Sequence, residues 1–451
     1  MKRILLISYC GPPNAAVPTK RISFFARHLD ALGWTPTIIS AHPRYAEVRD
    51  DFFVRILPPG CRIYHTPSFE PFRSRFVHSH SPIPPSGQEA PTHNHTLQRR
   101  LDWVLLTLRR LLSYGYPVQE PQWGWNHFVL PRARELIRTG RFSVVLVSLP
   151  PFSSMLAGYA LKKEFGIKLV LDYRDPFHQV QNGAVAPFMR SRKYSLRARR
   201  HILLENRVLS AADGILAATS RSTQQFRDRL GPEFNARTKT ITNAFDEDIL
   251  DTIPAKHFDR FTIIHGGSLH GPRIEGLKLL DALGRLLRSE AVAPDAFQVL
   301  LFPGTLPDFH KERRLRTLLD RFPELNAVTR FMPYLGYYDY ISYVKGADLL
   351  FLASGPMKEM ILAKFYDYLG TGRPILALAD PDSAMADIIN RTRSGVVIPY
   401  NELSLLKITI RDLINRIRPS VRTNSRYASG FTASSTASDL AAFLDRIVGL
   451  S

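Results

Sequence analysis

Two carboxylate side chains, Glu359 and Asp367, stand close together in a stretch that reads Glu-Met-Ile-Leu-Ala-Lys-Phe-Tyr-Asp-Tyr-Leu-Gly-Thr-Gly-Arg-Pro. On a helix, this spacing would place them about two turns apart on nearly the same face. Carboxylate oxygens so placed can accept hydrogen bonds from the hydroxyl groups of a sugar or a ribose. The alternative interpretation is that both acids are solvated charges on a helix surface.

The residues around the two acids predict a strand, a helix and a second strand. Asp348–Ala353 and Ile375–Ala379 are short apolar runs typical of buried strands. Between them, apolar residues recur at helical spacing: Ile361, Leu362, Phe365 and Leu369. Gly370 and Gly372 would supply the C-terminal stop, and Pro374 cannot continue the helix. With a turn at Gly355, such a βαβ unit offers amide groups and a helix dipole to an anion such as phosphate.

The pattern of the two acids resembles the donor-site signature of the family 4 glycosyltransferases. That signature is Glu, seven residues, then Glu or Asp, followed by Tyr-Leu-x-x-Gly-x-Pro-Ile-Leu. The resemblance implies a GT-B fold, an α/β architecture of two Rossmann-like doubly wound domains that face each other across a cleft. It also implies that Glu359 lies near the transferred sugar and that Asp367 binds the ribose. Most members carry Glu at the second position, one methylene longer than Asp367.

A second segment extends the resemblance to the diphosphate of the donor. Phe261–His265 is a predicted strand that leads into Gly266 and Gly267, whose backbone amides can approach an anion closely. In the family, a basic residue near the position of Arg273 binds the diphosphate, although Ser268 stands where many members carry Arg. The other candidates for donor binding are Gly355, Lys358, Lys364 and Tyr334.

The beginning of the chain predicts another βαβ unit. Lys2–Tyr9 is a short apolar strand, Arg21–Leu32 has helical spacing, and Thr37–Ser40 is a second strand. The Pro-Pro loop between the first strand and the helix resembles the start of family 4 enzymes, where this loop faces the cleft. The candidates for acceptor or phosphate contacts here are Gly11, Lys20 and Arg21.

Two further motifs follow predicted strands. Ser-x-Pro-Pro-Phe ends at Phe152, and Asp-Tyr-Arg-Asp-Pro begins at Asp172. Together they resemble a subset of family 4 enzymes that act in polysaccharide assembly. Carboxyl ends of parallel strands are where open α/β sheets build their sites, so Arg174 is an acceptor-side candidate and Asp175 a catalytic one. The alternative is a structural salt bridge within the turn. The full set of catalytic candidates is Glu359, Arg273 and Asp175.

The domain plan that follows has three parts. Residues 1–240 form an N-terminal acceptor domain with a flexible insertion at about 72–100, which is rich in Pro, His and Ser. Residues 241–425 form the donor domain, and residues 426–451 a terminal helix that packs back on the first domain. The hinge is placed at Ile241–Asp246, where Ala244 replaces the glycine that is usual in the family's linker.

The charge of the chain is unusual. With 60 Lys and Arg against 40 Asp and Glu, the formal net charge is +20. Such a basic protein is expected to bind a polyanion, either nucleic acid, an anionic membrane surface or a phosphorylated substrate. The basic run Arg190–Arg207 is either a solvated helix face or a contact with anionic lipid. Leu101–Leu112 is either a helix that packs on the core or an amphipathic helix that lies on a membrane.

Cysteine usage and the apolar segments indicate the cellular compartment and whether a metal or a disulfide is expected. The 2 cysteines show neither metal-ligand spacing nor a disulfide framework, and we find no signal peptide and no membrane span. We therefore expect a cytoplasmic protein, peripheral at the inner face of the cell membrane, with no metal and no cofactor.

The sequence thus predicts a retaining glycosyltransferase. Its partners would be a nucleotide-diphosphate sugar, a lipid-linked or polysaccharide acceptor and an anionic membrane surface, with no nucleic acid. Three alternatives stay open: a nucleotide-sugar epimerase of the same fold, a non-catalytic relative that binds a sugar nucleotide, and a basic nucleic-acid-binding protein. The last lacks any recognition motif.

Overall fold

The computed structural model describes residues 2–70, 120, 122–175, 192–267, 276–302, 313–359, 361–415 and 425–449, with backbone only at 192–199 and 425–426. Three sequence predictions lie outside these residues: the insertion at 72–100, the helix at Leu101–Leu112, and the place of Arg273 with its neighbour Ser268.

The N-terminal half is built on a parallel seven-stranded sheet with the order β3-β2-β1-β4-β5-β6-β7. Its strands are β1 (Lys2–Ile7), β2 (Trp34–Ala41), β3 (Arg62–Thr66), β4 (Val144–Leu149), β5 (Lys168–Tyr173), β6 (Gly214–Ala217) and β7 (Thr238–Thr240). Its α-helices are α1 (Val17–Leu29), α2 (Phe52–Arg55), α3 (Asn126–Thr139), α4 (Ser154–Phe165), α5 (Arg192–Ala211) and α6 (Ser220–Leu230). Strands such as β4 are buried on both faces, which is why they are continuous apolar runs in the sequence.

The C-terminal half is built on a parallel six-stranded sheet with the order β10-β9-β8-β11-β12-β13. Its strands are β8 (Phe261–Gly266), β9 (Phe297–Phe302), β10 (Thr329–Phe331), β11 (Leu349–Gly355), β12 (Ile375–Ala379) and β13 (Gly395–Pro399). The helices that precede, connect and follow these strands are α7 (Glu247–Thr252), α8 (Leu277–Arg288), α9 (Arg313–Arg321), α10 (Leu325–Val328), α11 (Tyr337–Gly346), α12 (Ala363–Thr371), α13 (Ala384–Thr392), α14 (Leu403–Ile414), α15 (Ser425–Ala428) and α16 (Ala433–Ile447).

The two halves share apolar contacts as well as the connecting chain. Phe24 of α1 and Phe52 and Phe53 of α2 belong to the same core cluster as residues of α11 and α12. In the other direction, α16 packs along α1, and its Phe443 is buried in the core of the N-terminal sheet. Burial of aromatic side chains at this interface fixes how the carboxyl ends of the two sheets face each other.

The predicted strands are confirmed, with ends that differ by a few residues. The prediction that the helix includes both acids is wrong at its N-terminal end. The helix α12 begins at Ala363, so Asp367 is helical and Glu359 is not. Leu362 is in an extended conformation at the N-cap, and the carbonyl of Lys358 accepts a hydrogen bond from the Ala384 amide at 2.8 Å. This contact ties the segment before α12 to the start of α13.

The first helix also differs from its prediction. It begins at Val17 instead of Arg21, with a proline in its first turn. Proline favours that position because its missing amide hydrogen would have no partner there. Lys20 and Arg21 therefore lie in the first turns of α1, at the carboxyl edge of the N-terminal sheet. Within the described part of the chain, no helix is both long enough and apolar enough to cross a membrane.

Candidate functional site

A cavity of about 230 Å³ lies between the carboxyl edges of the two sheets. The N-terminal half contributes the loop before α1, the first turn of α1, the segment that leads into α2 and α2 itself. The C-terminal half contributes the ends of β8 and β9, the loop after β10, the start of α11 and the first turns of α12. The residues that line it are Ala15, Ala16, Val17, Lys20, Asp50, Phe53, Gly266, Gly267, Phe302, Pro333, Tyr334, Leu335, Tyr337, Tyr340, Ala363, Lys364 and Asp367.

Asp367 is the carboxylate at the centre of this cavity. Its two oxygens lie 2.8 and 2.7 Å from Lys20 Nζ, which belongs to the opposite half of the molecule. Tyr337 donates its hydroxyl hydrogen to Asp367 Oδ1 at 2.9 Å. Burial, reinforced by this carboxylate, raises the pKa of Tyr337 well above its usual value, so the phenol stays a donor. Asp367 thus has two partners, one of them a cation from across the cleft.

Lys364, one turn before Asp367 on α12, lies over the turn that follows β8. Gly267 has φ +112°, and a Cβ atom there would lie 2.6 Å from Lys364 Nζ. Only glycine leaves the space and the backbone freedom that this arrangement needs. The ammonium group is therefore held at the point where an anion would meet the β8 turn.

A buried histidine underlies the same turn. His265 Nδ1 lies 3.0 Å from the carbonyl oxygen of Phe351, so Nδ1 carries the hydrogen and Nε2 is an acceptor. Burial first and Lys364 second lower the pKa of His265 to about 3. No described residue hydrogen-bonds to Nε2. The ring is neutral near pH 7 and keeps one free lone pair below the cavity.

One end of the cavity is aromatic. Phe302 and Tyr340 meet edge to face with their ring centroids 5.2 Å apart, and Tyr334 lies nearby in the lining. Phe53 of the N-terminal half packs on Tyr337 at 5.4 Å. Burial and the neighbouring Asp50 raise the pKa of Tyr334 to about 12, so its hydroxyl also stays protonated. Flat apolar walls with phenol groups suit the stacking of a planar ring such as a nucleobase.

Glu359 lies outside the cavity lining, on the segment that precedes α12. Arg221 of α6, in the N-terminal half, approaches Glu359 Oε1 at 3.5 Å. The other carboxylate oxygen, Oε2, is buried and has no hydrogen-bond partner among the described residues. A buried carboxylate oxygen without a donor is energetically costly, so a ligand hydroxyl here would be favourable.

Solved structures share this architecture at low sequence identity. A sucrose-phosphate synthase from Thermosynechococcus elongatus matches with a TM-score of 0.61 at 15% identity, covering 100% of both chains. The lipopolysaccharide outer core galactosyltransferase WaaB in its apo form matches at 0.55 and 11% identity, covering 98% of this chain and 99% of the other. A UDP-GlcNAc 2-epimerase from Methanocaldococcus jannaschii matches at 0.51 and 11% identity, covering 99% and 100%. No protein-family model matches the sequence, and neither does any curated protein.

The chain has a GT-B fold. Identities this low show the fold alone, and the fold is shared by glycosyltransferases and epimerases. The cavity between the two sheets is therefore the cleft between the two halves of a GT-B protein. In that cleft we can place the remaining predicted residues.

The two glycines at the end of β8, its last residue Gly266 and the following Gly267, do not offer free amides. Gly266 N–H donates to the hydroxyl of Tyr368 at 3.0 Å, and Gly267 N–H donates to the Phe302 carbonyl at 2.7 Å. A Cβ atom on Gly266 would lie 2.2 Å from the hydroxyl of Tyr340. These glycines therefore make room for Lys364 and two tyrosines, and their own N–H groups already donate to protein acceptors.

The other donor-side predictions lie at the rim. Lys358 points at two acids after β12, with its Nζ 3.7 Å from Asp380 and 3.3 Å from Asp382. Gly355 ends β11 with φ +61°, and its carbonyl accepts from the Asp380 amide at 3.0 Å. The structure thus brings Lys364, Asp367 and Tyr334 together at the cavity and leaves Lys358 and Gly355 outside its lining.

Arg21 does not line the cavity. It is 4% exposed and forms a two-pronged ion pair with Asp172, with Nη2–Oδ1 2.7 Å and Nε–Oδ2 2.9 Å. It also donates to the carbonyls of Ile241 and Thr242 at 2.8 and 2.7 Å. All these contacts join α1, β5 and the chain that leads into the C-terminal half. Arg21 therefore ties α1 and β5 to the connecting chain between the two halves.

The remaining acceptor-side predictions surround the carboxyl ends of β1 and β5. Gly11 packs against β2, where a Cβ atom would lie 2.6 Å from that of Ser40. Arg174 hydrogen-bonds to the carbonyl of Pro150, and burial lowers the pKa of this guanidinium despite its neighbour Asp175. The two residues lie at the turn after β5 and do not line the cavity.

Sequence reasoning missed three residues at the cleft. Asp50 accepts from the Tyr337 amide at 2.6 Å, and Tyr337 and Arg221 contact the two predicted carboxylates. None of the three belongs to a spaced motif. The Tyr-Tyr pair at the start of α11 was the only local hint, because tyrosines at a helix start after a predicted strand could line a site.

Proposed function

We propose that this protein is a retaining glycosyltransferase that uses a nucleotide-diphosphate sugar. The observation that carries the proposal is the cavity in the GT-B cleft, where Asp367 and Lys364 lie one helical turn apart and face Lys20. Two ammonium groups beside a carboxylate match the diphosphate and the ribose diol of a nucleotide. The aromatic end of the cavity matches its base.

The transferred sugar would extend from the diphosphate toward Glu359. The buried oxygen of that carboxylate would accept a hydrogen bond from a sugar hydroxyl. Lys20 and Lys364 would stabilise the negative charge that develops on the departing diphosphate, which is the main protein contribution in transfer of this kind. Arg273, outside the described residues, is proposed as a further cation there.

The acceptor is proposed to be lipid-linked or a polysaccharide, met at the cytoplasmic face of a membrane. The net charge of +20 supports attraction to an anionic surface. On α5, Arg200 and Arg207 are exposed together with Leu203, whose side chain is 68% exposed. Arg174 and Asp175 remain proposed acceptor contacts, with Asp175 as a catalytic group.

The epimerase is the second candidate, because a GT-B epimerase is among the structural matches. The two activities are separated by their products. A transferase releases free nucleoside diphosphate and joins the sugar to the acceptor with its anomeric configuration kept, which NMR of the product reads directly. An epimerase leaves the sugar attached to the nucleotide.

The test is to incubate the protein with nucleotide sugars and a lipid acceptor and to measure nucleoside diphosphate release. We expect release to be lost in Glu359→Gln with nucleotide binding kept, and unchanged in Asp439→Asn, a matched change on an exposed residue of α16. Consumption of nucleotide sugar without release would favour the epimerase. Equal activity of Glu359→Gln and the native protein would refute the role of this carboxylate.

A further inference from the structure

We propose that Lys20 makes the cleft select nucleoside diphosphates over nucleosides by exchanging its counterion. Its counterion in the structure is Asp367, and with a nucleotide bound it would be the diphosphate. This inference rests on the proposed function and concerns how the same site chooses its ligand.

The buried ion pair of Lys20 and Asp367 occupies the carboxylate that a ribose would need. Lys20 Nζ contacts both oxygens of Asp367, and the two side chains are 9% and 7% exposed. The residues are 347 positions apart in the chain and belong to opposite halves. The hydroxyl groups of a ribose must therefore compete with the Lys20 ammonium group for the carboxylate oxygens of Asp367.

Separating Lys20 from Asp367 costs free energy unless Lys20 gains another counterion. A buried charge that loses its partner is strongly unfavourable unless another opposite charge replaces it. The other carboxylate in the cavity lining, Asp50, already accepts hydrogen bonds from the amides of Tyr337 and Phe52 at 2.6 and 3.0 Å. A nucleoside brings hydroxyl groups only, so it leaves the ammonium without a counterion. A diphosphate brings its own negative charge and satisfies the cation that the ribose displaces.

Contacts other than the Lys20–Asp367 pair keep the two halves together during the exchange. On one side of the cleft, Phe52 and Phe53 of the N-terminal half pack against Tyr337 of the C-terminal half. On another, Asp246 of the connecting chain is 2.8 Å from His28 Nε2 and 3.2 Å from Arg27 Nε, both on α1. Lys20 is therefore free to change partners while the interface stays closed.

The test compares two ligands on each variant by isothermal titration calorimetry. The ligands are uridine and UDP, or the nucleoside and diphosphate of whichever base binds. Lys20→Met removes the charge and keeps the length of the side chain, and Lys20→Arg keeps the charge. Lys239→Met is the matched control, since it breaks a surface ion pair with Asp439 far from the cleft.

We expect opposite changes in Lys20→Met. The nucleoside should bind more tightly, because Asp367 is free to accept its hydroxyls, and the diphosphate should bind more weakly. The preference for diphosphate over nucleoside should fall at least about tenfold. Lys20→Arg should restore most of the preference, and Lys239→Met should leave both affinities unchanged. Nucleoside affinity that stays the same or falls in folded Lys20→Met overturns the inference.

A second arm covers the case in which Lys20→Met does not fold. Asp367→Asn releases Lys20 from its internal counterion, so inorganic pyrophosphate should bind this variant more tightly than the native protein. In the double variant that combines Lys20→Met with Asp367→Asn, the gain should vanish if it acts through Lys20. A gain that persists in the double variant would show simple charge repulsion and overturn the exchange.

The outcomes also separate this inference from the proposed function. If the native protein binds no nucleoside diphosphate, the proposed function fails and this inference fails with it. If the native protein binds one and Lys20→Met shifts nucleoside and diphosphate alike, only the counterion exchange fails.

Discussion

The ion pair between Arg21 and Asp172 allows a quantitative prediction. The change is Arg21→Met, which keeps most of the apolar stem and removes the guanidinium. Asp172 is fully buried, so it would be left without its cation, and the carbonyls of Ile241 and Thr242 would lose a donor. Removing one partner of a buried ion pair costs about 3–5 kcal/mol.

Equilibrium unfolding in urea measures this cost. All 4 tryptophans precede residue 126, so their fluorescence reports unfolding of the N-terminal half, to which α1 belongs. The matched control is Arg138→Met on α3, in the same half, whose pair with Glu164 is 63% exposed at the arginine and 31% at the glutamate. That change should cost less than about 0.5 kcal/mol.

A free energy of unfolding for Arg21→Met within about 1 kcal/mol of the native value would refute a buried, structural ion pair, because exposed pairs contribute no more than that. If the same variant also lost affinity for acceptor or nucleotide, Arg21 would be a ligand contact, as the family resemblance implies. In that case the buried contacts seen here would not describe its main role.

Three other changes test single features of the cleft. His265→Asn keeps the hydrogen bond to Phe351. The unfolded imidazole takes up a proton below about pH 6.5, whereas the buried one does so only near 3, so the free energy of unfolding of the native protein should fall by about 2 kcal/mol more than that of the variant between pH 7 and pH 5. Unfolding in urea at the two pH values measures this, and equal losses would contradict it. Gly267→Ala places a Cβ atom against Lys364 on a backbone with left-handed φ. We therefore expect the free energy of unfolding to fall by more than about 1 kcal/mol and diphosphate binding to weaken in calorimetry, and an unchanged urea midpoint would exclude that strain. Arg221→Met breaks a long, half-exposed ion pair and should cost less than about 1 kcal/mol in the same unfolding assay, and a larger loss would mean that it anchors the two halves.

The strands were the most predictable part of the fold. Val144–Leu149 and Ile375–Ala379 were recognisable in the sequence because a strand buried on both faces of a parallel sheet is a continuous apolar run. The end of α12 was predictable for a similar reason, since Gly372 adopts the left-handed cap that glycine favours. Local chemistry alone determines these features.

The start of α12 was not predictable from local sequence. Residues from Glu359 onward have helical spacing, and nothing in them marks Ala363 as the first helical residue. The hydrogen bond from Ala384 to the Lys358 carbonyl comes from another helix. A pattern of apolar residues cannot register such a tertiary contact.

In the candidate site, too, local sequence predicts some features and tertiary contacts determine the others. Asp367, Lys364 and Tyr334 were singled out by type and spacing, and the structure gathers them at one cavity. Their partners come from distant parts of the chain, as the pairing of Lys20 with Asp367 shows. Which cation meets which acid depends on how the two halves face each other, and a single sequence contains no direct record of that.

The central claim is that the cavity in the cleft binds a nucleoside diphosphate. The most direct measurement is thermal unfolding of the native protein and of Lys364→Met with UDP, GDP, ADP and dTDP, without added metal. A ligand at a hundred times its dissociation constant adds about 2.7 kcal/mol of stability, which is several degrees in a protein of this size. We predict that one diphosphate raises the midpoint clearly above the others and that Lys364→Met loses most of that rise. No rise with any of the four, or an equal rise in Lys364→Met, would contradict the claim.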